Sequence, residues 1–201
     1  MKWISESDAA SRLAPKQLRI GGWKEVRPVH DGPIEHFQQI EAPRDVDLLS
    51  TFASHLVGLL LPASWVLLQI DSSTSLNAAS ATLLRTVLLP AILDQPVSEI
   101  AESTWLLEFG ENQRQREASA VHLWQVLALV LADRHHCQLV SSAHGPGAYM
   151  SLQDGFVYIV VAAGDSALEV GPLLDCLDPA TAQSPQWLID MISAGQDRLL
   201  R

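Results

Sequence analysis

The side chains with the most chemical potential in this sequence stand close together: His135, His136 and Cys137, with His144 seven residues further on. Imidazole and thiolate are good zinc ligands, and three of them with one water would make a catalytic metal site. The spacing opposes that use. His135 and His136 are expected where a helix runs into a strand, so their side chains diverge, and no CxxC or HExxH accompanies them. A plainer role is an imidazolium at the negative end of a helix dipole, with Cys137 a small buried apolar residue. No metal and no other cofactor is therefore expected.

A second constellation is built from carboxylates. Asp71 follows the apolar run Trp65–Ile70 in a turn of serines and threonine, and Glu111 holds the matching place after Thr104–Phe109. Two carboxylates at strand ends could bind a divalent cation or act as acid and base, and open α/β sheets gather ligands there. Capping of the helices that follow is the simpler role. The loop His144-Gly145-Pro146-Gly147-Ala148 could present backbone N–H groups as an anion nest or oxyanion hole, or could merely connect two strands. Neither phosphate-binding glycine motif nor a GxSxG nucleophile elbow occurs, so nucleotide binding and serine hydrolysis lack a signature.

Charge is the feature that speaks most to partners. The 201 residues carry 13 basic and 23 acidic groups, a formal net charge of −10. Residues 1–47 are near balance, with seven basic and eight acidic groups; residues 48–201 hold six arginines against fifteen acids. Two windows lack any base. One, between Arg85 and Arg114, contains Asp94, Glu99, Glu102, Glu108 and Glu111; the other, between Arg134 and Arg198, contains Asp165 and Glu169 among seven acids. Such a surface repels phosphate backbones and anionic headgroups, so neither nucleic acid nor a membrane is expected as partner. A basic protein would be attracted, with Glu99, Glu102, Glu111, Asp165 and Glu169 as the candidate contacts. Asp165 and Glu169 would repel each other at i, i+4 on a helix unless a cation or a partner's Arg or Lys met them.

These residues need elements to hold them. Two β-compatible segments in Gln17–Val29 flank Gly21-Gly22, the signal of a two-residue hairpin. Asp31-Gly32-Pro33 and Ala42-Pro43 mark a loop. Val46, Leu49, Phe52, Ala53, Leu56, Val57 and Leu60 make an amphipathic stripe that must end before Pro62. WVLLQI at 65–70 and TWLLEF at 104–109 read as buried strands, each followed by a helix: one from about Leu76 or Asn77 to Pro90, one from Glu117 to about Arg134. The two units match at forty-residue spacing (Trp65 and Trp105, Leu83 and Leu123), too few copies for a solenoid. Strands are expected at 138–141, 149–152 and 156–162, with Gln153-Asp154-Gly155 as a tight turn, and then helices opening near Pro172 and Pro185.

The chain is thus expected to be a single α/β (or α+β) domain over 1–201, a mixed sheet with an N-terminal hairpin, two strand–helix units and a C-terminal hairpin followed by helices; residues 1–15 could be flexible. Its start lacks the apolar run of a signal peptide, and no stretch is long enough to span a bilayer, which points to the cytoplasm. No family motif is present. In general type, as a small, acidic, cysteine-poor and motif-free chain, it is similar to bacterial immunity proteins, which neutralise toxin domains such as nucleases. That similarity implies a non-enzymatic module that blocks a basic partner, with a homo-oligomer left open. A secretion chaperone or assembly adaptor would look the same. The opposing expectation is a hydrolase or metal-dependent enzyme with its site near Asp71, Glu111, His135, His136 and His144.

Overall fold

The computed structural model describes residues 1–21, 25–29, 34–61, 63–70, 104–162, 170–175, 177–180 and 182–183. In chain order they form β1 (Lys2–Ile4), α1 (Glu6–Leu13), a 3₁₀ turn (Ala14–Lys16), β2 (Leu18–Ile20), β3 (Val26–Pro28), β4 (Ile34–Glu41), α2 (Val46–Leu60), β5 (Trp65–Ile70), β6 (Thr104–Glu108), α3 (Gln113–Ala132), β7 (Cys137–Ser141), β8 (Tyr149–Gln153), β9 (Phe156–Ala162) and α4 (Gly171–Asp175). Seven strands make one sheet in the order β1-β6-β5-β7-β8-β9-β4, and every neighbouring pair is antiparallel. β2 and β3 form a separate two-stranded ribbon. This is the mixed helix-and-sheet architecture expected from the sequence.

Each described helix of two turns or more begins where a polar side chain can take up free N–H groups. Ser5 Oγ accepts from Asp8 N–H at 3.2 Å, Asp45 Oδ1 from Asp47 and Leu48 N–H at 3.0 and 3.1 Å, and Asn112 Oδ1 from Gln115 N–H at 2.9 Å. The last of these extends α3 by a full turn beyond the expected start at Glu117. α3 closes with paired bonds, Arg134 N–H to Leu131 O at 3.2 Å and His135 N–H to Val130 O at 2.9 Å. That closure puts Arg134 in the left-handed region, at φ 56°, where glycine is the usual residue.

The sheet is covered on both faces, as near-continuous apolar strands require. On one face Val66, Leu68 and Ile70 of β5, Trp105 and Leu107 of β6, Leu139, Met150, Val157 and Ile159 meet the stripe of α2 and the buried side of α3. On the other face Leu67, Leu106 and Val140 meet Ala9 and Leu13 of α1 and Leu18 and Val26 of the ribbon. Adjacent residues Leu67 and Leu68 therefore serve two cores, and both are fully buried.

Residues 1–15 supply β1 and α1, with Ala9 and Leu13 buried. The strands correct two expectations. The loop between Asp31 and Pro43 contains the eight-residue strand β4, whose pairing with β9 outweighs its weak alternation. The ribbon does not turn on two glycines: Ile20 pairs with Val26, so residues 21–25 separate the strands. β8 and β9 do join through a tight turn, with Asp154 at φ 55° and Gly155 at φ 86°, the positive values that favour glycine. The helix expected over Leu76 to Pro90 and the one after Pro185 lie outside the described residues.

Candidate functional site

β5 and β6 are neighbours but run in opposite directions, with Trp65 opposite Glu108 and Gln69 opposite Thr104. Their C-terminal ends therefore lie at opposite ends of the sheet, and Glu111 does not stand beside the end of β5. Asp71 itself lies outside the described residues. The matched-carboxylate reading fails on strand direction, because the logic of ligands gathered at C-terminal strand ends belongs to parallel sheets. Glu111 is exposed, immediately before the Asn112 cap of α3.

The histidines are distributed in the same way. His135 is buried and its Nε2 lies 3.1 Å from Asp133 Oδ2, whereas the Nε2 of His136 lies 3.3 Å from Ser151 Oγ on β8. Their side chains diverge, as the spacing implies. Cys137 is fully buried in the larger core, and burial pushes its thiol up to about 12. His144 stands beyond the opposite end of β7, where its Nε2 donates to Leu59 O at 2.9 Å. His135 follows the C-terminal closure of α3, and His144 meets the C-terminal end of α2 as well. Among the described residues no three of His, Cys, Asp or Glu come together in a way that could hold a metal ion.

The His144–Ala148 loop is built to face a cation rather than an anion. Lys16 Nζ donates to the carbonyls of Ser142, at 2.7 Å, and of His144. The N–H groups of Ala143, His144, Gly147 and Ala148 are taken up by Ser141 Oγ, Ser141 O, Lys16 O and Gly145 O. Those four donors are therefore not free to form an anion nest. Ser141 Oγ also donates to Leu60 O at 3.1 Å, and Ser142 Oγ accepts from Ser64 and Trp65 N–H at 2.8 and 3.1 Å. This loop is a clasp that ties α2, β5 and β7 together.

One arrangement invisible in the linear sequence runs across the sheet. Thr104, Gln69, Gln138, Ser151, Tyr158 and Gln39 are successive cross-strand partners on β6, β5, β7, β8, β9 and β4. This transverse row is polar throughout. Its first four members are buried: Thr104 Oγ1 donates to Gln69 Oε1, and Gln138 both accepts from Val26 N–H at 2.5 Å and donates to Val26 O at 3.2 Å. The Gln138 amide thereby stitches the ribbon onto the sheet. The residues are scattered through the sequence, and only the pairing register aligns them.

Of the five acids expected to meet a partner, Glu99, Glu102, Asp165 and Glu169 lie outside the described residues, and Glu111 is exposed. The charge pattern also changes in three dimensions. Glu108, from a window without bases, pairs with Arg12 at 2.9 Å across 96 residues, and the guanidinium lies 5.6 Å from the centroid of Trp65. Arg27 pairs with Glu25 at 2.5 Å and Arg44 with Glu41 at 3.6 Å, while Arg116 donates to Ala63 O at 3.1 Å and faces the Phe109 ring. No family model, no curated protein and no solved structure matches this chain.

Proposed function

We propose that this protein is a non-enzymatic binding module that occupies and neutralises a basic partner protein in the cytoplasm, in the manner of an immunity protein or antitoxin. The observation that carries the reading is charge: with a formal net charge of −10, its described arginines at 12, 27 and 44 are each engaged with its own carboxylates. Glu6, Asp8, Asp47, Glu111 and Asp154 remain exposed. An unbalanced acidic surface steers a basic protein towards it and discriminates against nucleic acid and anionic membranes. No helix among the described residues is long and apolar enough to cross a membrane. The enzyme alternative loses support from geometry, since His135 and His136 stand at one end of β7 and His144 beyond the other. A secretion chaperone or assembly adaptor would use the same surface chemistry.

The partner-facing acids are assigned to Glu99, Glu102, Glu111, Asp165 and Glu169. The test is to crosslink and identify the partner in the native host, then follow association of the purified pair across ionic strengths. Reversing Asp165 and Glu169 to lysine should slow association and flatten its salt dependence without lowering the melting temperature. Binding indifferent both to salt and to the reversals would overturn the electrostatic account and point to an apolar contact face.

A further inference from the structure

Three connections meet at the end of the sheet where β7 begins: the β4–α2 loop, the C-terminal closure of α3 and the β8–β9 turn. Between them is a cleft of about 280 Å³ lined by Ala42, Pro43, Arg44, Val46, Leu49, Leu131, Ala132, Arg134 and Gly155. We infer that this cleft binds a small carboxylate with an apolar body, gripped by Arg134.

Arg134 carries the argument. At φ 56° it occupies a conformation that costs an L-residue free energy and that glycine would adopt freely. Strain of this kind at a cleft is a pointer to function. Its side chain lies over Gly155, where an added Cβ would come within 3.4 Å of Nε and 3.5 Å of Cζ. Glycine at that turn thus leaves room for the guanidinium. Among the described residues no carboxylate lies within ion-pair distance of Arg134. Of the acids beside it, Asp133 faces His135 at 3.1 Å, Asp45 holds the N–H groups of Asp47 and Leu48, Glu41 meets Arg44 at 3.6 Å, and Asp154 of the adjoining turn is exposed. An arginine fork matches a carboxylate in two parallel hydrogen bonds.

The rest of the cleft sets the ligand's class. Pro43, Leu49, Leu131 and Ala132 supply an apolar wall, and Val46 is 76% exposed, an unusual position for a large apolar side chain. The volume is at the lower limit for small-molecule sites, which restricts the occupant to a compact body. Glu41, Asp45 and Asp47 stand at or next to the lining residues, so a doubly charged phosphate meets more repulsion than a singly charged carboxylate. This inference stands apart from the partner-neutralising reading, and either can fail without the other.

The experiment is an amide NMR titration of the full chain with octanoate, alongside octanamide and inorganic phosphate. Octanoate should give saturable shifts at Arg44, Arg134 and Gly155, and neither octanamide nor phosphate should reproduce them. Arg134→Gly should weaken octanoate binding by about tenfold to a hundredfold, as expected for a lost charge-assisted hydrogen bond, while the melting temperature stays level or rises. Arg134→Lys should recover binding only in part, and Arg114→Gln, an exposed arginine outside the cleft, should leave it unchanged. Unchanged affinity in Arg134→Gly, an equal response to octanamide, stronger binding of phosphate, or no saturable shift would each overturn the assignment.

Discussion

Gln138 joins two structural units with one amide. Its carbonyl accepts from Val26 N–H and its NH₂ donates to Val26 O, both inside the protein. In Gln138→Leu the volume is nearly kept but two backbone groups of β3 lose their partners, at about 1–3 kcal/mol each. Urea denaturation should show that loss, and a variant within 0.5 kcal/mol of the parent (about the scatter of neutral surface changes) would remove the stitching role. His122 makes a different residue-scale case. Burial, aided by the positive chain terminus, holds its imidazole below the ordinary 6.5, and its buried Nε2 meets no hydrogen-bond partner among the described residues. The folded chain therefore refuses a proton that the unfolded chain accepts. Stability should be fully retained above about pH 6.5 and decline as pH falls from there towards the depressed value. Comparing urea midpoints at about pH 7.5 and 5.5 tests this: His122→Gln should lose part of the slope. Identical slopes in the two proteins would show that another group is responsible.

At the scale of elements, polar residues in turns set the boundaries of the helices. Asn112 begins α3 four residues before the apolar stripe alone would have it, because Gln113–Arg116 form a polar first turn that has no apolar signal. Asn112→Ala should cost about 1 kcal/mol and raise amide exchange at Gln115, whose N–H the side chain holds. Loss without local exchange at Gln115 would assign the effect elsewhere. The boundaries of α2, β5, β6, β8 and β9 were legible from apolar spacing, proline and the Asp154-Gly155 turn. β4 was not. Its residues Ile34-Glu35-His36-Phe37-Gln38-Gln39-Ile40-Glu41 alternate poorly, and what makes them a strand is a continuous pairing partner in β9. The Gly21-Gly22 pair signals a two-residue turn, whereas the ribbon's register requires five intervening residues.

For the whole molecule, the decisive feature is a sheet with two dry faces. Leu67 points to α1 and the ribbon, Leu68 to α2 and α3, and both are fully buried. Each of Leu67→Ala and Leu68→Ala should therefore cost about 2–5 kcal/mol, whereas a sheet with one wetted face would tolerate one of them. Chemical denaturation of the two variants checks this, and a near-neutral Leu67→Ala would disprove the second core. The sequence by itself determined composition, the charge surplus, the apolar strands, the span of α2 and the divergence of His135 from His136, because all of these follow from neighbours a few residues apart. Tertiary structure alone decided which groups meet. Antiparallel pairing placed the ends of β5 and β6 apart, brought His144 onto the C-terminal end of α2, aligned a polar row from six strands, and brought Arg44 and Arg134 to one cleft. Those outcomes depend on strand order and register, which are fixed by burial summed over the whole chain and leave little trace in any local stretch.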